Sequence, residues 1–354
     1  MFFEEVVVIL ILSTAAFLLA FFLTPGLSRL LFKFKCWKKQ ARTVSVDGGK
    51  TPIFNALHKG RETTVPRMAG VLIWGTMAIL VIAVLLLSKF FPETFAGFNF
   101  VSRSQTWIPI FTLLAASLLG LVDDICVVSG VGEKAKGGGV RFRHRLLVIF
   151  FIGLAGALWF YYKLGWDTIH LPFDGDLFIG WLYIPFFILV MIGLFSGSVI
   201  DGVDGLAGGV FSIIFATFAA IALMRGQYDL AAFCGIVAGA TAAFLWNNIP
   251  PARFYMGETG IIGLTATLSV VAFLTNSVLL LPIIAFVLFL EIASVVIQLA
   301  SKKLRHGKKV FLSAPIHHHF EAKGWPAFQV TMRFWLVAAL TAMLGLIVFL
   351  VDKV

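Results

Sequence analysis

Charge is what this chain has least of. Only 13% of its 354 residues are Asp, Glu, Lys or Arg, against 60% hydrophobic, and the acids number just 18. So little polar surface cannot cover a water-soluble core, which excludes a soluble enzyme. Cysteine is scarce too. Cys36, Cys126 and Cys234 are odd in number, widely spaced and form no C-x-x-C pair, so neither a secreted disulfide scaffold nor a thiolate zinc site is supported. No P-loop spacing, no H-E-x-x-H and no internal repeat occurs, which leaves the inverted-repeat plan of many transporters without support. The opening Met1-Phe2-Phe3-Glu4-Glu5 lacks the basic flank and cleavage site of a signal peptide, so the first apolar run is expected to persist as a span.

What the chain does have is apolar runs of about 20 residues along its whole length, the span a helix needs to cross about 30 Å of hydrocarbon. They exclude an outer-membrane barrel and predict an all-α integral membrane protein. Ten spans are expected near 6–29, 69–90, 107–122, 146–162, 180–200, 205–224, 229–247, 259–275, 279–300 and 333–351. With alternating loops, 23 of the 28 Lys and Arg fall on one side and five on the other. Basic segments translocate poorly, so this asymmetry puts the basic loops in the cytoplasm and both termini outside. The net charge of +10 is thus read as cytoplasmic loops, not as nucleic-acid binding. The cytoplasmic stretches are about 30–67, 123–145, 201–204, 248–258 and 302–332, none long enough to stand as a separate domain. On the other side, residues 167–178 carry apolar arms around Asp174-Gly175, which predicts a small β-hairpin.

Acids are the informative residues in such a chain, because a carboxylate in hydrocarbon costs at least about 2.5 kcal/mol. Asp123-Asp124 close the third span, Asp201-Gly202-Val203-Asp204-Gly205 join the fifth and sixth, and Met256-Gly257-Glu258 open the eighth, all on the basic side. Asp204 and Glu258 also read as a helix N-cap and a first-turn acid. Asp123-Asp124 resist that reading, since a helix C-terminus disfavours negative charge and adjacent carboxylates repel. Carboxylates, Gly-rich turns and nearby basic residues suit a diphosphate neutralised by a hard cation such as Mg2+. Gly137-Gly138-Gly139 with Arg141, Arg143 and Arg145 offers an anion-binding turn, or simply a connector. His317, His318 and His319 are consecutive, so on a helix they cannot all face one metal. They suit hydrogen bonding to phosphate or sugar oxygens, or else lie in a polar loop on the headgroups.

Pro315-Ile316-His317-His318-His319-Phe320-Glu321, continuing through Gly324-Trp325-Pro326 to Arg333-Phe334-Trp335, resembles the phospho-N-acetylmuramoyl-pentapeptide transferases (MraY). These belong to the polyprenyl-phosphate hexosamine-1-phosphate transferases. Asp123-Asp124, Asp201 through Leu206, and Asn248 through Glu258 are similar as well, so the resemblance covers nearly all ten spans. It implies one transferase domain, residues 1–354. The activity implied is transfer of phospho-MurNAc-pentapeptide from its UDP carrier to undecaprenyl phosphate, giving lipid I and UMP for peptidoglycan synthesis. Mg2+, a homodimer and an active site on the cytoplasmic face of the bacterial inner membrane are implied with it. Carried over by motif, Asp123, Asp124 and Glu258 would be catalytic, with Glu258 at the magnesium position. Ser198, Asp201, Asp204, Asn248, Tyr255, His317, His318 and His319 would bind substrate, Tyr255 by stacking on uracil.

The chain departs from that pattern in four places. Glu258 stands where Asp is usual, Ser198 where Asn is, and Val127 where a Lys follows Asp124 by three. Pro66-Arg67-Met68-Ala69-Gly70 replaces Pro-Thr-Met-Gly-Gly, so one cation is lost at 127 and another appears at 67. Three other readings compete. A GlcNAc-1-phosphate or other amino-sugar-phosphate transferase is favoured by Arg67. An ion-coupled transporter would place the same acids at the midplane. A catalytically silent homologue would be marked by Val127 and Glu258.

Overall fold

The computed structural model describes residues 2–40, 60–132 and 139–352. The stretches of the 30–67 and 123–145 loops beyond these bounds, including Gly137 and Gly138, lie outside the described residues. The long helices are α1 (Phe2–Lys33), α2 (Val71–Phe90), α3 (Trp107–Ser129), α4 (Phe142–Leu158), α5 (Tyr183–Phe195) and α6 (Leu206–Met224). After these come α7 (Tyr228–Asn248), α8 (Glu258–Leu274), α9 (Phe286–Leu304), the short α10 (Ile316–Ala322) and α11 (Ala327–Asp352). They make an all-α, multi-pass membrane protein with helical segments at all ten expected positions.

Eight of these segments are long and apolar enough to cross a bilayer, and two differ from expectation. The ninth span is bent by 85° between Val278–Ile284 and α9. α8 has 17 residues, about 25 Å of helix, shorter than the hydrocarbon it sits in. Every residue from Thr259 to Leu274 is buried, so protein rather than lipid surrounds it. It packs chiefly along α3 and α5, while α6 and α7 pair beside it and α7 also carries α1. Lipid is met by the outer helices, whose exposed residues include Leu10, Phe22, Leu336, Leu340 and Ile347.

α3 does not stop at residue 122. It carries Asp123 and Asp124 inside its last two turns and ends at Gly130, whose left-handed φ of 72° closes the helix with its N–H on Val127 O. Buried partners for both acids, described below, let the helix continue through them. The loop expected over 123–145 accordingly shrinks, because α4 has begun by Phe142, and the 302–332 loop likewise contains α10 and the starts and ends of its neighbours.

β1 (Thr168–Leu171) and β2 (Gly175–Phe178) form the hairpin, with Leu171 opposite Gly175. The turn is therefore Pro172-Phe173-Asp174, not Asp174-Gly175. Phe173 takes the positive φ of 70°, held there by its N–H bond to Asp352 Oδ1 at 2.6 Å. His170 ties the hairpin to the end of α11, with Nδ1 2.8 Å from Asp176 Oδ1 and Nε2 2.6 Å from Asp352 Oδ2.

Candidate active site

The site is built around the N-terminus of α8, whose first N–H groups have no partner within the helix. The residue before it, Gly257, has φ 75° and no side chain to cap with. Two distant acids do the capping instead. Asp124 Oδ2 accepts from Thr259 N–H at 2.9 Å, and Asp201 Oδ2 accepts from Gly257 N–H at 3.2 Å. Both carboxylates also gain from the positive end of the helix. Thr259 is anchored in turn, donating to Ser117 O at 3.0 Å and accepting from Trp74 Nε1 at 3.1 Å. This meeting of α3 and α8 needs Gly120, where a Cβ would overlap the Glu258 carbonyl.

Two guanidiniums face the acids. Arg67 Nε lies 3.3 Å from Asp124 Oδ1. Arg145 Nη1 lies 3.1 Å from Glu258 Oε1 and 3.5 Å from Asp123 Oδ2, while Asp123 Oδ1 accepts from Val140 N–H at 2.6 Å. Among the described residues, Asp123, Asp124, Asp201 and Glu258 thus meet Arg67 and Arg145 in one cluster. Burial works against the Arg67 cation, but the charges of Asp124, Glu258, Asp201 and Asp123 outweigh it and hold the group above its ordinary value. Withdrawal from water pushes the Asp201 carboxyl up to about 7, with Glu258 adding to the rise and Arg67 and the Gly257 N–H opposing it.

The 201–205 loop is fixed from three sides. Asp204 accepts from Ala252 N–H at 3.0 Å and from Arg61, and its carbonyl takes the Thr331 hydroxyl at 2.8 Å. It does not N-cap α6, whose cap is Gly205. Asn248 accepts from Gly205 N–H at 3.0 Å and donates to Phe254 O at 2.8 Å, so both ends of its amide are used within the protein. Tyr255 is half-buried, and burial followed by the Asp204 charge pushes its phenol up to about 12. Ser198 sits half-buried on the turn before Asp201.

The histidines are split. His317 and His318 are buried and come against Gly202, where a Cβ would overlap His317 Nε2 and lie 3.2 Å from His318 Nε2. Their other nitrogens are held by acids: His317 Nδ1 is 2.9 Å from Glu291 Oε2, and His318 Nδ1 is 2.6 Å from Glu321 Oε2. His319 turns elsewhere, its Nδ1 accepting from Leu312 N–H at 3.1 Å, and burial lowers its pKa.

The structure therefore gathers Asp123, Asp124, Asp201 and Glu258 at one spot and sets His317 and His318 on the loop that carries Asp201. Asp204 and Asn248 hold that loop together from beneath, and His319 faces away. Sequence reasoning gave no role to Glu291 or Arg61 and left Arg67 and Arg145 without partners. Glu291 had a signal, being a lone acid in an otherwise apolar span. Among the described residues no three His, Cys, Asp or Glu are disposed to grip one ion. The donor set around α8 is nonetheless all carboxylate oxygen, which fits a hard divalent cation.

Helices enclosing an acid-and-arginine cluster define the class the geometry supports, a multi-pass membrane protein with a site suited to anionic, phosphate-bearing ligands. The family model described as Glycosyl transferase family 4 matches residues 106–276, which hold all four carboxylates. The chain is 31% identical over 348 residues to the phospho-N-acetylmuramoyl-pentapeptide-transferase of Chloroflexus aurantiacus, covering 95% of this chain and 88% of that protein. It is 32% identical over 348 residues to the protein so named in Geobacillus thermodenitrificans, covering 97% and 98%. To that of Pelagibacter ubique it is 33% identical over 267 residues, covering 70% and 73%. The chain belongs to the phospho-N-acetylmuramoyl-pentapeptide transferase family.

Proposed function

We propose that the protein transfers phospho-MurNAc-pentapeptide from UDP-MurNAc-pentapeptide to undecaprenyl phosphate, forming lipid I and UMP. The observation that carries this is the convergence of Asp123, Asp124, Asp201 and Glu258 with Arg67 and Arg145 at the N-terminus of α8. An oxygen of the lipid phosphate bonds to the sugar-linked phosphorus as the bond between the two phosphates of the donor breaks and UMP leaves. Two anions must approach each other for this, so charge has to be neutralised first. Glu258, with Asp123 beside it, would hold Mg2+, which when bound supplies part of that neutralisation. Arg67 and Arg145 supply the rest.

Asp124 has one oxygen on the α8 backbone and the other on Arg67, which suits a positioning role. Asp123 has its second oxygen 3.5 Å from Arg145 and is the residue proposed to take the proton of the lipid phosphate. His317 and His318, each braced by an acid, would present Nε2 to substrate oxygens across Gly202, and Tyr255 and Ser198 would line the nucleoside end. Direct attack is the simpler route; a phospho-enzyme trapped on Asp123 would replace it with a two-step one.

The site is assigned to the cytoplasmic face of the bacterial inner membrane. Arg61, Arg67, Arg141, Arg143 and Arg145 gather at this end, whereas the hairpin and Asp352 lie together at the far end of α4 and α11, which supports reading both termini and the hairpin as outside. A homodimer is proposed with it. The test is purified protein in lipid given undecaprenyl phosphate and either UDP-MurNAc-pentapeptide or UDP-GlcNAc, with UMP release measured. Turnover of the pentapeptide donor alone supports the reading; turnover of UDP-GlcNAc alone replaces it with the amino-sugar alternative.

A further inference from the structure

We infer that Arg67 and Arg145 are exchangeable counter-ions. Each guanidinium competes with a divalent cation for the same carboxylates and is drawn off them by the phosphate oxygens of a nucleoside diphosphate, so cation and nucleotide bind with strong mutual dependence. This rests on the reaction proposed above.

The positions of the two arginines carry the argument. Arg67 arrives on a segment bonded along its length to the lead-in of α8: Tyr255 N–H to Pro66 O at 2.7 Å, Ala69 N–H to Tyr255 O at 3.1 Å and Gly70 N–H to Met256 O at 2.8 Å. That backing fixes where its side chain starts and sets the charge over Asp124. α3 provides no cation of its own here, because Val127, one turn beyond Asp124, is apolar, buried and packed toward Gly139. The charge therefore enters the site from two flanking segments, the lead-in to α2 and the first turn of α4.

Neither arginine makes the two-pronged fork that binds a carboxylate most strongly. Arg67 touches Asp124 through Nε alone, and Arg145 shares the single Nη1 between Glu258 and Asp123. Arg145 Nε is buried and makes no hydrogen bond within the protein. Both side chains thus hold their acids by one edge, with donors left over, and a planar guanidinium is well shaped to turn those donors onto phosphate. The arginines touch Asp124 Oδ1, Asp123 Oδ2 and Glu258 Oε1, three of the carboxylate oxygens a cation in the cluster could use. A cation arriving alone must displace a guanidinium from the acids it touches. A diphosphate supplies another anion for it, and linkage then requires each ligand to raise the affinity of the other by the same factor.

The experiment titrates Mn2+ into the full-length protein in detergent, with and without UDP, following free Mn2+ by electron paramagnetic resonance. UMP release from UDP-MurNAc-pentapeptide is assayed on the same preparation. Wild-type protein should bind Mn2+ about tenfold or more tightly when UDP is present. Arg67→Gln should tighten Mn2+ binding severalfold without UDP, weaken UDP binding, and shrink the coupling toward unity. Unchanged or weaker Mn2+ binding in Arg67→Gln without UDP overturns the inference. So does tight Mn2+ binding by the wild type that UDP does not improve, a measurement that needs no variant. Either result alongside normal UMP release removes only the counter-ion role, whereas absence of UMP release with both lipid and donor present removes the proposed reaction itself.

Discussion

At the hairpin end of the bundle one histidine sits between two aspartates, and at the α8 end four carboxylates meet two guanidiniums. The first arrangement is self-contained: both nitrogens of His170 are engaged, and the two oxygens of Asp352 are shared between His170 and Phe173 N–H. Among the described residues the second crowds four carboxyl groups around two guanidiniums in a largely buried place, which folding alone would not favour. Similar side chains thus serve as a fastening at one end and, on the proposed function, as a receptor for further positive charge at the other. Damage at α8 should therefore remove activity well beyond its effect on stability, and damage at the hairpin should do the reverse.

Asp124→Asn tests the contrast most severely. It weakens the cap on α8 and removes the charge facing Arg67, so UMP release should fall by about 10²–10⁴-fold, with unfolding in detergent easier by up to about 3 kcal/mol. A variant with near-wild-type turnover would make the α8 cluster a fastening too. Gly120→Ala follows. Its methyl would force α3 off the start of α8 and should lower turnover by about 10–100-fold and stability by about 1–3 kcal/mol, the first measured by UMP release and the second by thermal unfolding.

Glu258→Asp comes next. The site is organised around the longer acid, whose Oε1 reaches Arg145, so the shorter side chain should lose about tenfold in kcat; a gain in turnover would show that the usual family residue is still preferred. The smallest effect belongs to His170→Gln, which should leave turnover within about twofold and lower stability by about 1 kcal/mol or less, given solvent screening. Burial disfavours the His170 cation, but its bonds to Asp176 and Asp352 more than offset this and raise the pKa above the ordinary 6.5. The stabilisation is therefore complete below pH 6.5 and fades as pH climbs through the raised value. Thermal unfolding from about pH 6 to about pH 9 should show that loss in the wild type and a flatter profile in the variant.

Much of this was legible in the linear chain. Apolar length gave ten helical segments, and the scarcity of acids pointed to Asp123, Asp124, Asp201 and Glu258, because a carboxylate in such surroundings needs a reason. The reason itself was not legible. That Asp124 caps a helix through Thr259, 135 positions later, depends on α3 continuing past residue 122, and the continuation depends on the cap. The same circularity hid Asp204, read as a cap for its own helix while its carboxylate holds Ala252, and the bracing of His317 by Glu291 on another helix. His170 and Asp352 stand 182 positions apart in ordinary surface sequence, and only folding brings them together. Patterns of local period carry helices; contacts between helix ends carry the site.

The enclosure of α8 has one more consequence. A span that touches lipid must match the thickness of its membrane, and it tilts or strains when that thickness changes. α8 touches only protein, so its short length is set by its neighbours and a thicker or thinner bilayer should tilt the outer helices first. The platform on which Asp124, Asp201 and Glu258 meet is in this sense suspended inside the protein, insulated from the changing lipid composition of a growing cell envelope.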